Sequence, residues 1–172
     1  MIAIVVAMDK NRAIGAENKI PWRIKSDLIR LSRLTRGNVV ILGRKSFDSM
    51  VWYYDKSGKR MPGAQYIVVT RNSAYKPARD NAQVAHSVQG AIALAQSLGS
   101  TICVIGGGSI FDATLPYADV IYLTEVQTSI KDEVDAYFPE LDPTEWREVS
   151  REHHRKNEQD QYDTEEIVLE RV

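Results

Sequence analysis

Residues 1–8 form an unbroken apolar run rich in β-branched side chains, the pattern of a strand covered on both faces. Comparable runs recur at 39–42, 66–70, 83–85, 101–105 and 120–126. Between several of them the apolar positions switch to helical spacing, over 26–35, 44–50, 88–98 and 109–115. This alternation predicts an α/β fold: a central mixed, mainly parallel β-sheet flanked by helices, with right-handed crossovers. The last stretch follows another rule. Residues 147–153 and 164–171 alternate polar and apolar positions and are joined by the polar segment 155–163, so the sheet is expected to end in an antiparallel C-terminal edge hairpin.

Three connections stand out. Residues 9–23 are long for a link between a strand and a helix, carry Gly15 and Pro21, and are expected to act as a lid. Residues 51–63, rich in Lys, Tyr, Gly and Pro, are expected to form an exposed flap, and 127–137 a flexible connection between strands.

Composition narrows the class. A chain of 172 residues with 44% hydrophobic side chains suits one domain over residues 1–172 with a sizeable core. A net charge of -1, from 22 basic and 23 acidic residues, leaves no electrostatic footprint for nucleic acid or an anionic membrane, so a small-molecule partner is expected. The opening run is too short to cross a bilayer and lacks a signal peptide's basic flank and cleavage site, which predicts a cytoplasmic protein, taken here as a monomer. Cys103, the single cysteine, lies in an apolar run and reads as a buried, inert thiol. His153 and His154 are neighbours on a strand and face opposite ways, so no metal is expected between them.

Helical spacing over residues 20–37 puts Ile24, Leu28, Leu31, Leu34 and Thr35 on one face. Asp27 lies inside that face, whereas Lys25, Arg30, Arg33 and Arg36 read as pointing away from it. It is the one charge that the pattern sets among apolar positions, and no cation of its own helix is expected to reach it. An unpaired buried carboxylate would protonate sooner than stay charged, so it requires a partner. Two readings stay open: a ligand bearing hydrogen-bond donors meets Asp27 in a site, or the backbone N–H groups of the first helical turn satisfy it.

Two strand-to-helix turns are suited to phosphate. The run 39–42 leads into Gly43, Arg44, Lys45 and Ser46, where free N–H groups at a helix start meet basic and hydroxyl side chains. The glycine spacing of an ATP-binding P-loop is missing. The run 66–70 ends beside Arg71, so arginines at neighbouring strand ends offer a bidentate grip on a monoester phosphate, or are simply solvated. The run 101–105 leads into Gly106, Gly107 and Gly108, then Ser109, Ile110 and Phe111. Glycines permit close approach of a ligand to the backbone, although Phe111 occupies the place where a Rossmann fingerprint needs a small residue.

Taken in order, Ile14-Gly15, Pro21-Trp22, Asp27, the 43–46 turn, Pro62-Gly63, the 105–108 turn and Tyr122-Leu123-Thr124 make the chain resemble the dihydrofolate reductase family along nearly its whole length. The resemblance implies an NADPH-dependent oxidoreductase that passes a hydride to C6 of the pterin of dihydrofolate while N5 gains a proton, giving tetrahydrofolate. It implies that Asp27 binds the pterin 2-amino and N3 groups, that Thr124 steadies this contact and that Trp22 holds a water near the carboxylate. Val5, Ala7, Leu28, Leu31, Met50, Lys59 and Ile105 would complete the substrate pocket. NADPH would contact Ala7, Ile14, Gly15, Asn18, Ile20, Gly43, Arg44, Lys45, Ser46, Thr70, Arg71, His86 and residues 105–111, with a cis peptide at Gly106-Gly107. Arg44 and Arg71 would hold the 2'-phosphate, and the 9–23 loop would close over the nicotinamide.

Several positions depart from the family. Ala64 stands where relatives carry an arginine for the α-carboxylate of the glutamyl tail, and loss of such a charge-assisted contact costs about 1.5–3 kcal/mol. Residues 51–57 read as an insertion, with Lys56, Lys59 and Arg60 as replacement cations. Phe111 and Ile20 replace a common tyrosine and methionine. Two alternatives follow: an NADPH-dependent reductase of an untailed pterin or related heterocycle, motivated by Ala64, and a non-catalytic nucleotide-binding module. The acid on an apolar face speaks against the module, which would gain stability by replacing it.

Overall fold

The computed structural model describes residues 1–16 and 19–172. The elements in chain order are β1 (Ile2–Asp9), β2 (Ala13–Ala16), α1 (Lys25–Thr35), β3 (Val39–Gly43), α2 (Arg44–Ser57), β4 (Gln65–Val69), β5 (Ala82–Ala85), α3 (Val88–Leu98), β6 (Ile102–Val104), α4 (Gly108–Thr114), β7 (Val120–Val126), β8 (Val134–Tyr137), β9 (Trp146–His154) and β10 (Thr164–Arg171). Eight of the strands form one sheet in the order β5-β4-β3-β6-β1-β7-β10-β9. The pairs from β5 to β7 are parallel, whereas β10 runs antiparallel to β7 and β9 antiparallel to β10. This is the mixed sheet with an antiparallel C-terminal edge that the pattern predicts.

The unbroken apolar runs occupy the middle because both of their faces are covered. One face carries Ile2, Ile4, Ile41 and Val104 against Ala91, Ile92 and Ala95 of α3 and Ile110 and Phe111 of α4. On the other, Val40, Leu42, Tyr66 and Val68 pack around Phe47 of α2, which is fully buried. No helix among the described residues is long and apolar enough to cross a membrane.

All three expected connections contain regular structure, the 9–23 segment holding β2. The segment 51–57 is no flap but the second half of α2, which runs on to a left-handed Gly58. Phe47, Met50, Val51 and Tyr54 recur at helical spacing, and Lys56 lies 4.6 Å over the Trp52 ring one turn back. Segment composition masked that period. Likewise 127–137 contains β8, which pairs antiparallel with β2 and ties the base of the 9–23 loop into a ribbon. Asp9 secures the same region: its buried carboxylate accepts from the N–H groups of Asn11, Ala13 and Ile130 at 2.8, 2.8 and 2.7 Å.

Candidate functional site

The connection leaving β1 heads toward the β5 edge and the one leaving β6 toward the β9 edge, although the two strands are neighbours. In an open parallel sheet, a crevice forms at the carboxyl ends where connections diverge in this way. The start of α1, the start of α2 and the 106–108 glycines all gather at that end.

Asp27 is brought there by the first turn of α1. That turn lacks a side-chain cap of its own, since Ile24 occupies the N-cap position. Its donors are met from the far end of the chain: Ser26 N–H donates to the buried Asp160 carboxylate at 3.0 Å, and Lys25 N–H to the Gln159 carbonyl at 3.2 Å. The Asp27 carboxyl is free to turn inward, toward the Thr124 hydroxyl on β7. Burial pushes the Asp27 carboxyl above the ordinary aspartate range, opposed by the nearby Thr124 hydroxyl and by the charge of Arg30. Neither sequence reading anticipates this arrangement: Thr124 and the Arg30 charge, rather than the N–H groups of the first helical turn, face the Asp27 carboxyl within the protein.

Arg30 corrects the helix reading. It does not point outward: it is 5% exposed, and its Nη1 donates to the Leu123 carbonyl and to Thr124 Oγ1, both at 3.0 Å. Its Nε lies 3.4 Å from Glu166 on β10. Burial lowers the Arg30 pKa, while Glu166 and Asp27 hold the guanidinium charged. Asp27, Thr124, Arg30 and Glu166 therefore form one connected polar group under an otherwise apolar face.

That face is only partly covered. Ile24 and Thr35 are buried, but Leu28 is 38% exposed and Leu31 is half-buried. Across from them, Ala7 on β1 pairs in register with Thr124 on β7, and Val5 with Tyr122. Trp22 is buried against Ile24 and Val126 with Ala7 beside them. Met50 and Ile105 pack on the edge of the α2 cluster and stay half-buried. The result is a cleft with apolar walls and one carboxyl group at its floor, a shape suited to a flat heterocycle with donors along one edge. Ile20 is 65% exposed at the rim, Lys59 is exposed beyond the end of α2, and Asn18 lies outside the described residues.

Beside the cleft is a backbone surface. Gly43 N–H donates to the Gly106 carbonyl at 2.8 Å, joining the two strand-to-helix turns. Neither α2 nor α4 has a side-chain cap, since Gly43 and Gly107 hold the N-cap positions, so N–H donors face outward there. The Gly106-Gly107 peptide is cis, and Gly106 has φ 118°, a conformation that only glycine adopts readily. A side chain at Gly106 would meet the Phe111 ring at 3.1 Å, at Gly43 Ile110 at 3.5 Å, and at Gly108 Ile14 at 3.9 Å. Ser46 stands 3.8 Å from the corresponding point at Gly107. Gly43, Ser46 and the 106–108 turn thus meet in one place, and they leave a slot that a Cβ would fill. Gly15, on β2, is buried beside Asp135 and Ala136 of β8 at the lid base, while Lys45 and Ser109 are exposed.

Toward the β5 edge, β3 and β4 run parallel with Gly43 opposite Val69, so Arg44 and Arg71 leave neighbouring strand ends. Arg44 Nη1 lies 3.4 Å from Asp48, and Arg71 is exposed. His86 Nδ1 is 2.9 Å from the Thr70 carbonyl, which fixes the ring beside Arg71. Cys103 is buried away from the site, and burial pushes its thiol up to about 11, the inert cysteine expected.

The chain matches the family model described as dihydrofolate reductase over residues 1–171. The dihydrofolate reductase of Staphylococcus haemolyticus is 34% identical over 171 residues, covering 99% of this chain and 96% of that one. That of Bacillus subtilis (strain 168) is 35% identical over 172 residues, covering 99% and 95%. Among solved structures, dihydrofolate reductase from Enterococcus faecalis complexed with NADP(H) and RAB-propyl superposes with a TM-score of 0.84 at 29% identity, covering 99% of this chain and 96% of that one.

Proposed function

The chain belongs to the dihydrofolate reductase family, and from that premise we propose that it reduces dihydrofolate to tetrahydrofolate with NADPH, as one domain over residues 1–172. The observation that carries this reading is the Asp27 carboxyl, turned into an apolar cleft beside a glycine-walled slot and held by Thr124 and Arg30.

In this reading NADPH, when bound, supplies the hydride to C6 of the pterin. Gly43, Ser46 and the 106–108 turn take its diphosphate and nicotinamide, and Arg44 and Arg71 take the 2'-phosphate. Asp27 accepts hydrogen bonds from the pterin 2-amino and N3 groups. Its negative charge, in a cleft that ligand has dried, raises the affinity of N5 for a proton that water delivers. Trp22 and the 9–23 segment exclude bulk water. Val5, Ala7, Leu28, Leu31, Met50 and Ile105 hold the ring flat, so that the reacting carbons stay near contact distance.

The enzyme is proposed as a cytoplasmic monomer with no nucleic-acid partner, the balanced charge of -1 supporting the last of these. Ala64 favours a second reading in which the glutamyl tail is not recognised and an untailed pterin serves equally.

The test is NADPH oxidation by the purified protein, followed by nicotinamide absorbance, with dihydrofolate and tail-less dihydropteroate run in parallel. Turnover of dihydrofolate is expected. Equal use of both compounds would favour the second reading, and no turnover of either would remove the reductase assignment.

A further inference from the structure

The C-terminal hairpin carries a group of side chains that the reductase reading does not use. On a strand, residues two apart share a face, so Glu152 and His154 of β9 point the same way. Glu166 of β10 pairs directly with Glu152 in the antiparallel register. Ligand atoms of Glu152, His154 and Glu166 lie within 4.8 Å of one another. His154 Nε2 is 3.7 Å from Glu152 Oε1 and 3.7 Å from Glu166 Oε1, beyond hydrogen-bond length, and it is buried without a hydrogen-bond partner.

Two features make this more than a chance grouping. Like charges directly across a strand pair destabilise it, and Glu152 opposite Glu166 is such a pair, which Arg30 on the Glu166 side offsets only in part and a cation between the two would offset further. An imidazole nitrogen with carboxylate oxygens is the ligand chemistry of zinc and similar transition ions rather than of calcium or magnesium. Tetrahedral zinc with bonds near 2.0–2.1 Å sets its ligand atoms about 3.3 Å apart. The two 3.7 Å separations from His154 need to close by only a few tenths of an ångström, and the two carboxylate oxygens lie within 4.8 Å of each other. A cavity of about 400 Å³ borders Glu152 and Glu166, lined also by Arg30, Arg33 and Arg151.

His153, on the opposite face, shows the contrast. Both of its nitrogens are already engaged, Nε2 by Asp163 at 3.3 Å and Nδ1 by Glu165 at 3.2 Å.

We propose that Glu152, His154 and Glu166 form a zinc-type divalent transition-metal site on the outer hairpin, separate from the reductase cleft. Glu166 has a further contact, since its other oxygen lies 3.4 Å from Arg30, and through Arg30 the site abuts the polar group that holds Asp27.

The test is isothermal titration calorimetry of the full chain with zinc chloride in a non-coordinating buffer. Wild type is compared with His154→Ala, Glu152→Gln and His153→Ala. One zinc per chain is expected, weakened at least about tenfold by His154→Ala and by Glu152→Gln and unchanged by His153→Ala. Glu152 is 73% exposed at its side chain, so its substitution leaves the fold intact and keeps the test independent of His154→Ala folding. Absence of saturable binding, or binding that survives both ligand substitutions, or binding lost with His153→Ala, would overturn the site.

Discussion

Arg30 and Thr124, 94 positions apart in the chain, are joined by a 3.0 Å hydrogen bond from guanidinium Nη1 to the hydroxyl oxygen. The Thr124 hydroxyl is therefore an acceptor on one side, and the bond leaves its hydrogen available toward Asp27 on the other.

Arg30→Met tests that role. Removing the guanidinium leaves Glu166 and the Leu123 carbonyl without their donor, and breaking such a buried pair costs about 2–4 kcal/mol. Urea unfolding is expected to show that loss. Arg30→Lys recovers only part of it, since an ammonium cannot reproduce the planar fork. A change within ±0.5 kcal/mol would mean that the contacts are energetically idle.

Asp27→Asn separates function from stability. Turnover at neutral pH is expected to fall to a small fraction of wild type while NADPH affinity, measured by fluorescence quenching, stays nearly unchanged. Stability moves the other way. Burial raises the folded-state pKa of Asp27, so the wild-type group favours folding below its unfolded pKa of about 3.9 and loses that contribution as pH rises through the folded value. The unliganded variant is accordingly expected to melt higher than wild type at pH 7, with the gap closing below about pH 4. A lower melting temperature at pH 7 would contradict the account.

These two residues also show what a sequence carries. The strands, the C-terminal hairpin and Asp27 were legible because each follows from a local period. Arg30 was misread: three positions after Asp27, it neighbours that residue by helical spacing alone, and only its acceptors on β7 and β10, distant in the chain, leave no local mark. The length of α2 was hidden by Lys, Tyr and Asp residues on its solvent side, although Phe47, Met50, Val51 and Tyr54 keep the helical spacing. Asp160, the distant cap of α1, carries no recognisable signal in a polar connection.

Asp160→Ala is expected to destabilise the protein by about 1 kcal/mol at pH 7, the usual worth of a helix cap, read as a lower thermal midpoint. Burial works to raise the Asp160 carboxyl, but donors from Ser26, Asn157 and Lys25 outweigh it and hold the pKa below the ordinary value. A depressed folded pKa gives stability that is present above the unfolded pKa and disappears as pH falls through the folded one. The difference between variant and wild type should shrink below about pH 4. A difference that is independent of pH would assign the effect to packing.

The substrate tail gives the sharpest functional prediction. Ala64 is exposed, and its N–H is already committed to the Asn38 carbonyl at 2.9 Å, so it offers the tail no charge and no donor. The lengthened α2 brings Tyr54 beside Ser32 and the Arg36 charge, which makes Arg36 one described cation that could meet a carboxylate there. Ala64→Arg is expected to lower KM for dihydrofolate about tenfold or more, the worth of one charge-assisted contact, with kcat little changed and no effect on tail-less dihydropteroate. That pattern is uniform binding of ground state and transition state, since the tail lies away from the reacting carbons. An unchanged KM for dihydrofolate would show that the tail is already held by another cation, in which case Arg36→Ala should raise KM for dihydrofolate alone.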